Sequence, residues 1–204
     1  LMANATFDQE PFNALAHNFS GSAKQLDYFE MENATVVPTG MARYLSIRYL
    51  TSSNINPAPV SGTPFSSYQA AVKGLLSTYL ADDMLDWHTT LNIGEAPTNT
   101  LNLTGGDFFA SFLFDLETRY GPDFTQNMLT EAGSRPEATT TQEAVDNFVI
   151  AASHAVNQNL VPLFRDAWRW PISADAILEL EGVFADPVLA ALGDQVGEPM
   201  GQRH

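Results

Sequence analysis

Apolar residues recur at steps of three and four along nearly all of the 204-residue chain. That period places them on one face of an α-helix, and the strict alternation of a half-buried strand is almost nowhere present. The densest case is Phe108, Phe109, Phe112, Leu113, Leu116 and Tyr120, with Asp107 expected as the N-cap and Gly121-Pro122 as the stop. Phe12, Leu15, Ala16 and Phe19 predict a short helix from about Glu10 to Phe19. Met41, Tyr44, Leu45, Ile47, Arg48 and Leu50 predict a second, starting near Gly40. A third is expected from a Ser66/Gln69 capping box through Tyr68, Val72, Leu75, Leu76, Tyr79, Leu80, Met84, Leu85 and Trp87. Gly74 inside it marks a close helix crossing or a bend.

Further on, Phe124, Met128 and Leu129 predict a short helix, and a Thr140/Glu143 capping box leads into Ala144, Val145, Phe148, Val149, Ala152 and Val156. Pro162 to Trp170 is short and aromatic, Ser173 caps Ala174 to Leu180, and Asp186-Pro187 opens a last helix. Thr35-Val36-Val37 is the best β candidate. The expected fold class is therefore all-α, an irregular helical bundle, with one domain over 1–193 and a frayed tail over 194–204.

Nine Lys and Arg against 24 Asp and Glu give a formal charge of −15, a field that repels phosphate backbones and argues against nucleic-acid binding. Thirteen Phe, six Tyr and three Trp are far too many apolar rings for a solvated chain. No apolar run approaches the roughly 18–20 residues of a membrane span. Without cysteine there are no disulfides, thiol nucleophiles or thiolate metal sites. The opening Leu1-Met2-Ala3-Asn4 is read as the start of a piece of a longer precursor. Asn4, Asn18, Asn33 and Asn102 each open an Asn-x-Ser/Thr triplet, a common chance pattern.

Several residue types could carry chemistry. Asp82, Asp83, Asp86 and His88 cluster within what the periodicity makes one helical turn, and Asp82, Asp86 and His88 could take a hard cation or simply form a solvated face. Trp168 and Trp170 suit either a hydrophobic lock or, if exposed, a partner surface. His154 is expected to be a partly buried helix residue, and Tyr44, Tyr68, Tyr79 and Tyr120 to fill core. Ser111 and Ser153 lack a nearby His and acid pattern.

Asn13-Ala14-Leu15-Ala16-His17-Asn18-Phe19 resembles the His-Glu-x-x-His helix of zinc metallopeptidases, where imidazoles four apart share a helix face and hold one zinc. Pro38-Thr39-Gly40-Met41-Ala42-Arg43-Tyr44-Leu45 resembles the Thr-Glu-Gly-x-Ala-x-Tyr segment of the gluzincins, the clan of thermolysin, aminopeptidase N and the enhancin-like mucin peptidases. Twenty-one residues lie between His17 and Thr39, similar to the clan's spacing. Thr104 to Phe109 followed by Arg119-Tyr120-Gly121 is similar to the gluzincin helix after the active site, and Asn159 to Ser173 to the close of the enhancin-like subgroup. The resemblance spans about residues 9–180, and implies the C-terminal helical lobe of that clan.

Residue by residue, the resemblance sets Asn13 where the first metal histidine would stand, Ala14 at the catalytic glutamate, His17 at the second histidine and Thr39 at the third ligand. It therefore implies a degenerate lobe without hydrolytic activity and without a cofactor, and the β-sheet lobe that precedes the motif in the clan has no counterpart in these residues. The expected work is interaction: a structural or binding subunit of a larger extracytoplasmic assembly, periplasmic or secreted, with a protein partner. Two alternatives stand beside it. One is a working metal-dependent hydrolase with ligands such as Asp82, Asp86 and His88 or a site completed by a partner. The other is an unrelated helical protein-binding module.

Overall fold

The computed structural model describes residues 6–20, 23–29, 35–53 and 55–185. Seven α-helices follow in chain order: α1 Glu10–Ser20, α2 Val36–Ser52, α3 Phe65–Leu80, α4 Gly105–Tyr120, α5 Phe124–Gly133, α6 Thr141–Val156 and α7 Ala174–Val183. A 3₁₀ turn, Leu91–Ile93, precedes α4, and a π-helical turn, Pro162–Ala167, precedes α7. Among the described residues there is no strand, only isolated bridges between Phe7 and Pro57 and between Val60 and Thr63. The bundle is all-α, as the periodicity predicts.

α4 is the central helix. Every residue from Gly105 to Phe114 is buried, which a helix shows only when it is packed on all sides. α2, α3 and α5 lie against it, and α6 reaches it through the Phe109–Phe148 ring contact at 5.6 Å. Its N-terminus is closed by a capping box in which the Thr104 hydroxyl accepts from the third-position N–H while Asp107 accepts from the Thr104 N–H at 3.0 Å. The cap is thus Thr104. Asp107, expected as the cap, stands three residues further on as its reciprocal partner.

Close backbone approach explains two glycines. A Cβ built on Gly40 would fall 2.7 Å from Phe109 Cβ and 2.9 Å from the Gly106 carbonyl oxygen; one built on Gly106 would fall 2.6 Å from Thr39 Cγ2. α2 can cross α4 only because both positions lack a side chain. Gly74 does not mark such a crossing: a Cβ there meets nothing within 4 Å, and α3 continues unbroken through it.

Other boundaries also differ from expectation. The β candidate Thr35-Val36-Val37 is the entry to α2, which begins at Val36 rather than near Gly40, because Val36 and Val37 are buried under the bundle. α3 starts at Phe65 behind Pro64, without a side-chain cap from Ser66. It ends at Leu80, well before Trp87. A residue far along the chain helps to hold this end. Arg169, held at φ 57°, donates from Nη1 to the Asp82 carbonyl at 2.9 Å and from Nη2 to the Tyr79 carbonyl at 3.0 Å, satisfying the carbonyls at the helix end. The Thr140/Glu143 box and the Ser173 cap form as predicted. The helix expected from Asp186-Pro187 and the tail lie outside the described residues.

The heart of the core is a run of rings. Tyr79, Phe108, Phe109, Phe112, Phe148, Phe164, Trp168 and Trp170 pack with centroids mostly 4.7–6.3 Å apart and largely tilted or edge-on, the geometry that ring quadrupoles favour. Trp168 is 0% exposed and Trp170 2%. Both are core side chains, and the reading of them as a partner surface is corrected by their burial.

Candidate functional site

α1 begins where the Gln9 carbonyl accepts the N–H groups of Phe12 and Asn13, each at 3.0 Å. Gln9 Nε2 donates to Ser46 Oγ at 3.0 Å, and the Phe12 ring lies 5.1 Å from that of Tyr49. These two contacts advance together along both helices, 9 with 46 and 12 with 49, so the N-terminal half of α1 meets the C-terminal half of α2. Asn13 is 9% exposed, with its Oδ1 buried and without a donor. Ala14 points to solvent, and His17 is half-buried.

Thr39 sits in the first turn of α2, half-buried against Gly106 at the crossing with α4. Ser46 lies seven residues further on, roughly 10 Å along the helix axis at 1.5 Å per residue. The contacts that locate α1 therefore fall two turns away from Thr39.

The residues at the positions that the resemblance assigns to a metal do not fit a zinc ion. An amide, one imidazole and a hydroxyl lack the anionic or second imidazole donors that such an ion needs. A methyl group at Ala14 cannot take a proton from water. Among the described residues, no three His, Asp or Glu side chains converge as a metal site requires.

Asp82, Asp86 and His88 are part of that statement, and the reason is local. They follow the end of α3 in successive turns instead of sharing a helix face. Asp82 Oδ1 accepts from the Met84 N–H at 2.9 Å, and Asp86 Oδ1 from the Thr89 N–H at 2.8 Å. Burial works to raise the Asp86 carboxyl, but the Thr89 N–H and hydroxyl and the His88 ring outweigh it and hold it below the ordinary carboxylate value. His88 is exposed and stands edge-on to Trp87 at 5.2 Å.

The positions that do match the metallopeptidase segment are engaged in packing. Gly40 makes the α2–α4 crossing possible. Ala42 and Tyr44 are completely buried. Tyr44 Oη accepts from Thr125 Oγ1 at 3.1 Å, and its ring meets Phe114 edge-on at 4.9 Å. Burial, countered in part by that hydrogen bond, pushes its phenol up to about 12.

A buried charged network beside this segment is not legible in the sequence. Arg43 Nε lies 3.0 Å from Asp107 Oδ1, an ion pair whose N–H is not aimed for a hydrogen bond, and Tyr68 Oη donates to the same oxygen at 2.9 Å. Burial, and then the Asp107 carboxylate, raise the Tyr68 phenol far above its ordinary range. The one clue in the sequence is Asp107 placed three after Thr104, which signals a capping box but not its partners on α2 and α3.

The remaining candidates have structural partners. Ser111 Oγ donates to the Phe108 carbonyl at 2.6 Å, and Ser153 Oγ to that of Val149 at 2.8 Å. His154, half-buried, lies 5.5 Å from the Phe184 ring.

A large concavity lies elsewhere. α1, α2 and α5 enclose an open groove of about 950 Å³, walled mainly by Phe12, Leu15, Leu45, Tyr49 and Leu129. The helical period predicts Phe12, Leu15, Leu45 and Leu129 on the apolar faces of their helices, but neither Tyr49 beside them nor the gap between them. Comparisons with protein-family models, with curated proteins and with solved structures found no match to this chain.

Proposed function

We propose that this chain is a gluzincin-like helical domain that has lost its hydrolytic centre, acting as an interaction or structural subunit of a larger extracytoplasmic assembly, with a protein as its partner. One observation carries the reading. Gly40, Ala42 and Tyr44, which match the segment, are residues that the α2–α4–α5 packing uses, whereas Asn13, Ala14 and Thr39, which depart from it, carry neither the imidazole nor the carboxylates that the segment's chemistry needs. Loss of catalysis without loss of fold leaves such a pattern.

The contacts of α1 at Ser46 and Tyr49 favour a second reading, a helical binding module unrelated to peptidases. One experiment separates the two. The triple variant Asn13→His, Ala14→Glu, Thr39→Glu restores the full ligand set if the helices descend from a metal centre. After zinc loading and gel filtration, elemental analysis should find one equivalent of zinc in the variant and none in the wild type. Zinc retained by the wild type overturns the loss of the centre. A variant that keeps its helical circular dichroism and holds no zinc overturns the gluzincin likeness and leaves the second reading.

A further inference from the structure

The groove between α1, α2 and α5 has a composition unlike the rest of the molecule. The chain carries 24 acidic residues, yet none lines the groove, and the one charged side chain there is Arg48. At about 950 Å³ its volume is that of a small-molecule site, for which the usual range is roughly 300–1,000 Å³. Three helices close it, each over fewer than three turns, so it is a basin rather than a long furrow for a docked helix.

Several of the hydroxyls that line it are already engaged: Ser52 Oγ donates to the Tyr49 carbonyl at 3.2 Å and Thr130 Oγ1 to that of Gln126 at 2.9 Å. Ser46 Oγ donates to the Arg43 carbonyl at 3.0 Å and accepts from Gln9, and Thr125 Oγ1 donates to Tyr44. Their hydrogens are engaged within the fold. Arg48 is held by Nε to Glu117 at 2.8 Å and by Nη2 to the Pro122 carbonyl at 2.6 Å, and both bonds leave Nη1 outside them. A guanidinium fixed in this way is preorganised to accept one more anionic group.

We propose that this groove binds a compact apolar carboxylic acid, its hydrocarbon body among Phe12, Leu45 and Leu129 and its carboxylate on Arg48. The apolar walls supply most of the affinity, and Arg48, whose charge Glu117 already shares, selects the head group through the N–H groups of Nη1. The inference is independent of the metallopeptidase likeness, since the groove uses none of the positions at which that likeness places chemistry.

Calorimetric titration with octanoate and with octan-1-ol tests it. The wild type should bind one octanoate, about tenfold more tightly than the alcohol, the order expected of a charge-assisted hydrogen bond. Arg48→Met should bring the two ligands to the same affinity. Ala16→Trp or Leu129→Trp, either of which fills the groove, should abolish binding of both. Equal affinities in the wild type, binding unchanged in the filled variants, or no saturable binding of octanoate overturns the proposal. The wild-type comparison of acid with alcohol decides it even where a variant does not fold.

Discussion

Tyr79 Oη donates to the backbone carbonyl of Trp168 at 2.7 Å, joining α3 to the aromatic turn 89 residues later. The same tyrosine lies under the Arg169 guanidinium, 4.6 Å from it, which in turn caps the end of α3. One side chain thus ties a helix end to the ring cluster at the centre of the fold. Tyr79→Phe keeps the ring and removes only the hydroxyl, leaving a buried carbonyl without its donor. The expected loss is about 1–3 kcal/mol in urea unfolding. An unchanged midpoint and slope would show that the bond contributes nothing.

The phenols make stability depend on alkaline pH. Burial raises Tyr44 and Tyr79 from 10.0 to about 12, with the Arg169 charge opposing the shift at Tyr79. Burial raises Tyr28 and Tyr68 further. Above pH 10 the unfolded chain releases these protons while the folded chain retains them. The unfolded state then binds fewer protons, so stability falls as pH rises from about 10 toward 12 and is fully present below 10. Urea midpoints at pH 8, 10 and 11 should decline in that order, and the decline should be shallower in Tyr79→Phe. A steeper decline in that variant contradicts the assignment.

Two glycines inside helices should respond in opposite directions. Gly40→Ala drives a methyl against Phe109 Cβ and the Gly106 carbonyl, both parts of α4 that cannot swing aside. A loss of about 1–3 kcal/mol follows from such overpacking. Gly74→Ala meets open space in α3 and should gain about 0.5–1 kcal/mol from helix propensity. Thermal unfolding of the two variants side by side reads both signs, and a stabilised Gly40→Ala would show that the helices are not in close contact there.

The contrast between those glycines shows what a sequence reveals and what it withholds. The helical period is a local property, and it locates each α-helix of the described residues, though not the turns Leu91–Ile93 and Pro162–Ala167. Capping boxes are local too, and Thr140 with Glu143 forms as its spacing predicts. The end of α3 is only partly local: Asp82 forms a turn with Met84, and Arg169, 89 residues beyond Leu80, donates to the Tyr79 and Asp82 carbonyls. For the same reason Asp82, Asp86 and His88 read as one helix face when they follow the helix end. Trp168 and Trp170 illustrate a different limit. An aromatic pair reads equally as lock or as surface, and only the packing of Phe112 and Phe164 against both decides between them. At the candidate site, the resemblance to metallopeptidases names Asn13, Ala14, His17 and Thr39 as the positions to inspect. It does not disclose that α1 meets α2 at Ser46, because the pairing of helices is set by shape over the whole core.

The Arg43–Asp107 pair separates charge from packing. The two side chains are 17% and 7% exposed, so removing one partner leaves the other charge buried without compensation. Asp107→Asn retains a polar group that can still accept from the Thr104 N–H, yet it should cost about 3–5 kcal/mol because Arg43 is left unpaired. Arg43→Met should cost less, since Asp107 still accepts from Tyr68 and Thr104. The double variant, with no stranded guanidinium, should recover part of the loss seen in Asp107→Asn alone. Unfolding free energies of the four proteins close a double-mutant cycle. Simple additivity would show that the two charges do not stabilise each other and that Asp107 acts only as the partner of Thr104 in the capping box.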